Sequence, residues 1–189
     1  MMEPTDEKLA EQVAAGDEQA LALLVRRWEI PLRRYVLRRC WSCRNDVDDL
    51  LQEVFLLVYR HIHAFDPKLK FSSWIWRITH NAMVSQVRSH ARMDPHVELD
   101  EALMIPNGIR TEEPCESSDL AREIAGVLEK MSPVLRDVFV LRFHEEKSYE
   151  EIGDILHLNA NTVATRVKRA REFFVENAKI RGLSLGRDE

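Results

Sequence analysis

The sequence has 189 residues, 45% of them hydrophobic and 31% charged, which is typical of a soluble globular protein with room for one or two domains. No apolar run approaches the roughly 20 residues that span a bilayer, and the polar, acidic amino terminus does not resemble a signal peptide. We therefore expect a cytoplasmic protein without membrane insertion. The formal net charge of -5 at pH 7 argues at first against nucleic-acid binding.

The charges, however, are segregated along the chain. Residues 67–93 carry five basic side chains and no acid, and residues 162–171 carry four basic side chains and no acid. Between these two segments, residues 94–119 carry eight acids against the single base Arg110, and they include three prolines. Two basic surfaces separated by an acidic stretch are compatible with nucleic-acid binding despite the negative total.

Helical periodicity dominates the rest of the chain. Apolar residues recur three and four positions apart, alternating stretches are almost absent, and the chain has only six glycines and seven prolines. We therefore predict an all-α protein of two small helical domains joined by an acidic flexible linker. The predicted bounds are residues 1–93 and 119–189 for the domains and 94–118 for the linker.

The N-terminal domain should contain three helices with recognisable ends. Asp17 can cap a first helix, which Pro31 is expected to kink. A second helix is predicted over about Asp46–His63, with acids at its start, where the helix dipole favours them. Ser72 or Ser73 can cap a third helix that follows a short basic loop.

The third helix carries two tryptophans within the first basic segment. Trp74 shares a face with Ile78 and Ala82, so we expect Trp74 in the core and Trp76 toward solvent. Exposed aromatic rings beside Lys and Arg can stack on unpaired bases, and each stacked base contributes roughly 1 to 3 kcal/mol. This helix and the loop before it are therefore candidates for contact with a single strand.

The C-terminal domain has the pattern of a helix-turn-helix. Ser132-Pro133 predicts one helix start, and Ser148-Tyr149-Glu150-Glu151 is a capping box that opens a short helix. After a tight turn, Asn159 can cap a last helix from Thr162. The predicted buried stripe of that helix is Val163, Val167, Ala170 and Phe174. Its other face presents basic and hydroxyl side chains outward, as reading a major groove requires.

Three ordered segments resemble those of the extracytoplasmic-function (ECF) sigma factors, in particular the RpoE-like subfamily. The first is Asp48–Phe55, DDLLQEVF. The second is Phe71–Asn81, FSSWIWRITHN, followed by Arg88. The third joins Ser148–Gly153, SYEEIG, to Asn161–Arg171, NTVATRVKRAR. The resemblance covers nearly the whole chain, and it implies a protein that binds core RNA polymerase and directs promoter-specific transcription initiation without being an enzyme.

The resemblance also implies roles for individual residues. It assigns polymerase binding to Asp48, Asp49, Leu50, Gln52, Glu53 and Phe55. It assigns melting and reading of the −10 promoter element to Lys68, Lys70, Ser72, Ser73, Trp76, Arg77, His80, Asn81 and Arg88. It assigns binding of the −35 element to Thr162, Thr165, Arg166, Lys168, Arg169 and Arg171. The implied partners are the largest and second-largest polymerase subunits, duplex and melted promoter DNA, and an anti-sigma factor.

This sequence departs from the family pattern at several positions. Gly153 stands where alanine is usual, Asn161 where glycine is usual and Thr165 where serine is usual. These replacements keep small or turn-compatible chemistry, so they leave the expected fold intact. Ala164 stands where relatives often carry a basic contact residue, and Thr79-His80 replaces a common Ala-Arg pair. The preferred promoter bases therefore do not follow from the resemblance.

The family pattern does not account for Cys40 and Cys43. A CxxC pair can bind zinc or cycle as a dithiol, but a structural zinc site usually has a second ligand pair. Cys115 lies in the acidic stretch without a second cysteine beside it. We expect reduced cysteines, no metal and no cofactor, and we keep redox or metal sensing as an alternative hypothesis.

Two other classes of protein compete with this interpretation. A stand-alone helix-turn-helix repressor would normally dimerise on a two-fold operator, and it has no use for the Gln52-Glu53 segment or the Trp74–Asn81 helix. A thiol-based redox or metal-binding protein depends on the two cysteines of the CxxC pair alone. The sequence has no Gly-rich phosphate loop and no nucleophile elbow. The sigma-factor interpretation is therefore favoured.

Overall fold

The computed structural model describes residues 3–39, 46–93 and 119–178. Within these ranges the chain forms helices and turns and no strand, which confirms the all-α prediction. The predicted linker, residues 94–118, lies outside the described residues. None of the helices in the described ranges is both long and apolar enough to cross a bilayer.

The described N-terminal part is a helical bundle. Its helices are α1 Asp6–Ala14, α2 Glu18–Arg39, α3 Val47–His61 and α4 Phe71–Met93, with a 3-10 turn at Ile62–Ala64 after α3. α1 packs on α2, α3 packs on α2 and α4, and α4 also contacts α1 and α2. The side chain of Asp17 accepts hydrogen bonds from the backbone N–H groups of Gln19 at 2.8 Å and Ala20 at 3.2 Å. The predicted cap of α2 is therefore confirmed.

The core of this bundle is built around the first half of α4. The ring of Trp76 stands edge-on to Tyr35, with 4.8 Å between centroids, and edge-on to Trp28 at 6.3 Å. Trp76 is 1% exposed, whereas Trp74 is half-buried against the ring of Phe65. The expectation that Trp76 is the exposed tryptophan is wrong, because α4 contacts the three other helices of the bundle and also the helix Tyr149–Leu156, and so buries more than one stripe of side chains.

The start of α4 is capped by a residue from elsewhere in the chain. The helix begins at Phe71, so Ser72 and Ser73 lie in its first turn and the predicted serine cap is wrong. Instead, the Phe71 backbone N–H donates to the carboxylate of Glu7 in α1 at 3.1 Å. Partial burial raises the pKa of Glu7, but hydrogen bonds from Phe71, Thr5 and its own backbone outweigh that effect and leave the pKa below its ordinary value.

The described C-terminal part is a second helical unit. Its helices are α5 Asp119–Lys130, α6 Pro133–Phe139, α7 Tyr149–Leu156 and α8 Ala160–Asn177, with a π-helical turn at Val140–His144 after α6. α8 packs against α5, α6 and α7. The predicted stripe on α8 is buried, which confirms it: Val163, Val167, Ala170 and Phe174.

Both predicted caps of the helix-turn-helix are confirmed. The Glu151 backbone N–H donates to the Ser148 hydroxyl oxygen at 3.2 Å, and the Ser148 N–H donates to the Glu151 carboxylate at 2.9 Å. Asn159 Oδ1 accepts a hydrogen bond from the Thr162 backbone N–H at 2.8 Å. α7 and α8 are thus set by hydrogen bonds within single turns of the chain, as the sequence indicated.

The turn between α7 and α8 leaves no room for a side chain on Gly153. A Cβ placed there would lie 2.6 Å from the carbonyl oxygen of Leu158, a backbone atom that cannot swing aside. The Leu158 N–H donates to the Gly153 carbonyl at 2.9 Å, and the intervening His157 adopts a left-handed conformation with a φ of 56°. In this chain the turn accommodates glycine at a position where the family pattern has alanine.

Replacing Gly153 by alanine should therefore lower the free energy of unfolding by about 1 to 3 kcal/mol, because the methyl group forces the turn backbone to move. Gly126 on α5 is the matched control, since a Cβ there meets nothing within 4 Å. Gly126→Ala should instead stabilise the protein by roughly 0.5 to 1 kcal/mol through helix propensity. Chemical denaturation of both variants measures the difference. A Gly153→Ala protein as stable as the wild type would contradict the packing argument.

Candidate functional site

An open groove of about 850 Å³ runs between α2 and α3. Apolar side chains form its floor and walls: Leu21, Val25, Leu51, Phe55, Leu56 and Tyr59. Leu56 and Tyr59 are 53% and 55% exposed, and they lie together with the other apolar side chains of the groove. Glu18, Glu29 and Asp48 line the same groove. An apolar floor with a charged rim is typical of a surface that binds another protein.

Most of the residues assigned to polymerase binding lie at this groove or beside it. Asp48, Gln52 and Phe55 line the groove, and Asp49 and Glu53 are exposed on the same helix. Leu50 is the exception, because it is 1% exposed on the inner side of α3. Its assignment as a contact residue is therefore corrected: Leu50 supports α3 from within the core.

An ion-pair network holds the rim of the groove. Arg33 Nη2 on α2 donates to the carboxylates of Asp48 at 2.5 Å and Glu29 at 3.5 Å. The hydrogen bond to Asp48 is the main cause that raises the pKa of Arg33. The Asp48 side chain is 76% exposed, so this pair contributes about 1 kcal/mol or less, and a binding partner can displace it at little cost.

The basic face expected to meet melted DNA lies at the start of α4. Lys68, Lys70, Ser73, Trp74 and Arg77 line one side of a cleft of about 390 Å³. Both lysines are exposed, while the serine, the tryptophan and the arginine are half-buried. The arrangement combines cations, a partly accessible ring and a hydroxyl, which are the groups that a single strand requires for phosphate contact and stacking.

The remaining −10 residues are divided between the surface and the core. Asn81 and Arg88 are exposed farther along α4 and line a second cleft, of about 490 Å³, together with His80. Ser72 is half-buried in the first turn. Trp76 lies inside the bundle, so it cannot stack on a base and is removed from the set.

The residues assigned to the −35 element all lie on α8, outside its buried stripe. Thr165, Lys168 and Arg169 are exposed, and Thr162, Arg166 and Arg171 are half-buried. The Lys168 side chain is 78% exposed and stands 4.0 Å from the Glu172 carboxylate, at the outer limit of an ion pair. The basic groups therefore remain accessible to phosphates and base edges.

A buried ion pair joins the two helical units. The guanidinium of Arg39, at the end of α2, donates to the carboxylate of Asp137 in α6 through Nε to Oδ1 and through Nη2 to Oδ2, the second at 2.9 Å. Arg39 is 1% exposed and Asp137 is 8% exposed. Burial lowers the pKa of Arg39 to about 10, so the guanidinium stays charged at neutral pH.

Arg136, next to this pair, is fully buried and binds backbone carbonyls. Its Nε donates to Leu128 at 2.8 Å, and its Nη2 donates to Glu129 at 2.9 Å and Met131 at 3.0 Å. These bonds satisfy carbonyls at and just beyond the end of α5, which the helix itself leaves without partners. Nη1 reaches the Arg39 carbonyl at 3.5 Å, across the junction.

His80 lies at the same junction and is held neutral. Its Nδ1 is 3.2 Å from the Tyr35 hydroxyl and 3.9 Å from Asp137 Oδ1. Burial is the main cause that lowers the pKa of His80 to about 4, and the nearby charge of Arg39 adds to it. A residue that the sequence assigned to DNA therefore faces the C-terminal unit, with a side chain only 14% exposed.

His144 is a second titratable group at this junction, and it lies where the turn after α6 meets the end of α2. Burial and the positive charge of Arg38 lower the pKa of His144 to about 4. The neighbouring Glu145 accepts a hydrogen bond from Arg38 Nη1 at 3.5 Å, and burial raises the pKa of Glu145. Both histidines thus favour the packed arrangement in their neutral form.

This junction between the two helical units was not predicted from the sequence. Arg136 and Asp137 interrupt the apolar segment Val134–Leu141, and charged side chains in such a segment need partners if they are buried. That signal could have marked both residues as unusual. It could not have identified Arg39 as the partner, because 98 positions separate it from Asp137.

The described residues contain no group of three or more His, Cys, Asp or Glu side chains that could hold a metal ion. Cys40 and Cys43 lie outside the described residues, so redox or metal sensing by this pair stays a hypothesis.

Two family models match this chain, one for each helical unit. The model for Sigma-70 region 2 matches residues 24–93, which include the groove and the basic face of α4. The model for Sigma-70, region 4 matches residues 121–174, which include the helix-turn-helix. The two matches define an initiation factor of bacterial RNA polymerase.

Full-length relatives narrow the class further. The chain is 30% identical over 181 residues to the ECF RNA polymerase sigma-E factor of Haemophilus influenzae, covering 92% of this chain and 94% of the relative. It is 31% identical over 179 residues to the ECF RNA polymerase sigma factor SigW of Bacillus subtilis, covering 90% and 95%. The chain therefore belongs to the ECF RNA polymerase sigma factors, which direct promoter-specific transcription initiation, and the resemblance seen in the sequence is confirmed.

Solved structures support the same fold. CnrH, solved in complex with the cytosolic domain of CnrY, has a TM-score of 0.65 and 28% identity, covering 90% of this chain and 95% of CnrH. The sigma factor RpoE of Bartonella quintana, solved with the anti-sigma factor NepR, has a TM-score of 0.69 and 23% identity, covering 86% and 96%. The second likeness bears on the fold alone.

Acidification should destabilise the folded protein through the junction histidines. The pKa of His80 is about 4 in the folded protein and 6.5 in the unfolded chain. Between these pH values, His80 is therefore protonated in the unfolded chain and neutral in the folded protein. Stability is therefore fully present above pH 6.5 and falls as the pH drops toward 4, by about 2 kcal/mol at pH 5 for His80 alone. Urea denaturation at pH 7 and pH 5 measures the loss. The His80→Gln variant should lose less on acidification, and an equal loss in both proteins would contradict the assignment.

Proposed function

We propose that three surfaces of this sigma factor bind three different partners. The groove between α2 and α3 binds core RNA polymerase, the outer face of α4 with its preceding loop reads the melted −10 strand, and α8 reads the −35 duplex. The observation that carries this proposal is the separation of an acid-rimmed apolar groove from two basic faces on different helices. Each surface has the chemistry that its partner requires.

The groove suits a protein partner. Its exposed apolar side chains, among them Leu56 and Tyr59, bury area on association, and its acids add charge selectivity at the rim. The proposed contact residues are Asp48, Asp49, Gln52, Glu53 and Phe55, with Leu56 and Tyr59 added on the basis of their exposure. By family resemblance the partner surface belongs to the largest polymerase subunit.

The α4 face suits an unstacked strand. We assign phosphate contact to Lys68, Lys70 and Arg88, and base contact to Arg77 and Asn81 together with the accessible edge of Trp74. Duplex DNA would offer Trp74 no base face to stack on, whereas a melted strand does. This assignment supports melting and reading of the −10 element over binding of the closed duplex.

The other functional properties follow from the family. We propose that the chain acts in the cytoplasm and by binding alone, because the polymerase performs the chemistry. We propose that residues 94–118 link the two domains and that an anti-sigma factor holds the protein inactive. The complex of CnrH with the cytosolic domain of CnrY supports a protein partner of this kind of chain.

The polymerase groove can be tested with one exposed apolar side chain. Leu56→Ser should weaken binding to core RNA polymerase by about tenfold, because a large anchor in a protein interface contributes on the order of 1 to 2 kcal/mol. Start-site sequencing of transcripts from genomic DNA should show the wild-type promoters at lower yield. Val175→Ser is the control, since Val175 on α8 is 60% exposed but lies outside the groove. Equal binding by both variants would remove the groove from the proposal.

The recognition helix can be tested through the salt dependence of promoter binding. Lys168→Ala should weaken binding of the polymerase complex to promoter duplex and reduce the slope of log affinity against log salt by about one, the effect of losing one phosphate contact. Lys130→Ala, which removes an exposed charge at the end of α5, should leave that slope unchanged. If the two variants behave alike, Lys168 makes no specific phosphate contact.

A further inference from the structure

The loop before α4 is held by hydrogen bonds at both ends. At its first end, the Asp66 carboxylate accepts a hydrogen bond from the Lys68 N–H at 3.0 Å, and the Asp66 carbonyl accepts one from the Leu69 N–H at 2.9 Å. At its second end, the Phe71 N–H donates to the Glu7 carboxylate of α1 at 3.1 Å. Between these points the side chains of Lys68 and Leu69 are exposed. The first end is therefore held within the loop, and the second end is held by a distant helix.

Phe71 is also held through its ring. The ring is fully buried, and its centroid lies 6.2 Å from that of Trp28 on α2. Trp28 Nε1 donates to the Asp6 carboxylate at 3.1 Å, and the same carboxylate accepts a hydrogen bond from Arg27 Nη1 at 2.9 Å. Asp6 and Glu7 are neighbours in the first turn of α1. These two acids thus act on Phe71 together, one through the backbone and one through the ring that packs on it.

Phe71 in turn supports Trp74, the ring that we assign to base contact. The centroids of Phe71 and Trp74 are 5.6 Å apart, and the centroid of Phe65 lies 5.5 Å from the first and 5.2 Å from the second. Trp74 is half-buried in this cluster of three rings. A shift of Phe71 would therefore move the loop before it and the ring after it.

α1 is well placed to hold this region. Its side chains Leu9, Ala10 and Val13 are 3% exposed or less, and the helix packs on α2 and α4. The three family segments begin at Asp48, and the Sigma-70 region 2 model matches residues 24–93, so neither includes α1. A role for α1 therefore has to come from its own contacts.

We infer that Glu7 is a positioning residue for the −10 strand: its carboxylate fixes the start of α4 and thereby holds the loop lysines and Trp74 where the unstacked strand meets them. The inference rests on the proposed role of α4. Glu7 does not line the cleft at α4, so it acts through Phe71 and not by touching DNA. α1 thus takes part in strand reading although it contributes no lining residue to that cleft.

Pre-organisation of the loop is the reason that this bond affects binding. The first N–H groups of a helix have no partner within the helix, and the N–H of Phe71 is one of them. Without the Glu7 carboxylate, the end of the loop loses a charge-assisted hydrogen bond and samples more conformations. A strand would then have to order the loop as it binds, which weakens binding. The start of α8 is capped separately by Asn159, so binding of the −35 duplex is unaffected.

The experiment uses complexes of core polymerase with the full-length chain or its variants. Start-site sequencing first locates a promoter, and two fluorescent probes are made from it. One probe is the single strand that carries the −10 sequence, and the other is the duplex that carries the −35 element. The affinity of each complex for each probe is measured.

Two variants of Glu7 separate the reach of the side chain from its charge. Glu7→Asp keeps the charge but withdraws the carboxylate by about 1.5 Å, the length of one carbon–carbon bond, so the hydrogen bond to Phe71 is lost. It should bind the single strand about fivefold more weakly than wild type. Glu7→Gln loses the charge but keeps an accepting oxygen at the same reach, and it should stay within about twofold of wild type. Both variants should bind the −35 duplex as wild type does.

Asp17→Ala is the matched control for a general loss of stability. It removes the cap of α2 and so destabilises the same bundle without touching Phe71. Its affinity for both probes should stay within about twofold of wild type. Three results would each overturn the inference: wild-type strand affinity of Glu7→Asp, an equal loss in Asp17→Ala, or a loss in Glu7→Gln as large as that in Glu7→Asp.

Lys68→Ala separates this inference from the proposed function. Lys68 is exposed in the loop, and its loss should weaken strand binding whether or not Glu7 positions the loop. If Lys68→Ala and Glu7→Asp both bind the strand as wild type does, the proposed role of α4 fails, and the inference fails with it. If Lys68→Ala weakens binding and Glu7→Asp does not, the inference alone fails.

Discussion

The burial of the Trp76 ring between α4 and α2 is the interaction on which the rest of the structure depends. Its edge-on contacts with Tyr35 and Trp28 fix how α4 lies on the bundle, and each such aromatic pair contributes about 0.5 to 1.5 kcal/mol beyond burial. Because α2 also forms one wall of the groove, the same core positions the groove on one side and the basic face of α4 on another. The surfaces proposed for polymerase binding and for strand reading therefore rest on the same core.

Features set by neighbouring residues could be predicted from the sequence. The capping box at Ser148, the caps at Asp17 and Asn159, and the stripe from Val163 to Phe174 each depend on residues within a few turns, and all are present. The family resemblance depended on these same local patterns, and the identity with full-length relatives confirms it.

Features set by residues that are distant in the chain could not be predicted from the sequence. Ser72 and Ser73 are residue types that commonly cap helices, but Glu7 caps the start of α4 because α1 packs beside it. Leu50 sits within a motif assigned to a partner, yet the helical phase of α3 turns it inward. Arg39 and Asp137 meet only because two domains pack together, and no periodicity of one segment carries that information.

The contact between Gly153 and the Leu158 carbonyl also bears on how promoter preference can be re-engineered. The turn and α8, the helix proposed to read the −35 element, form one geometric unit, because the backbone before α8 lies where a methyl group on Gly153 would be. Transferring a relative's promoter preference to this protein thus requires more than exchanging the outward side chains of α8. The segment that holds α8 in place runs from the capping box to the last buried phenylalanine of α8, residues 148–174, and it has to be exchanged as a whole because Gly153 and the Leu158 carbonyl lie in contact.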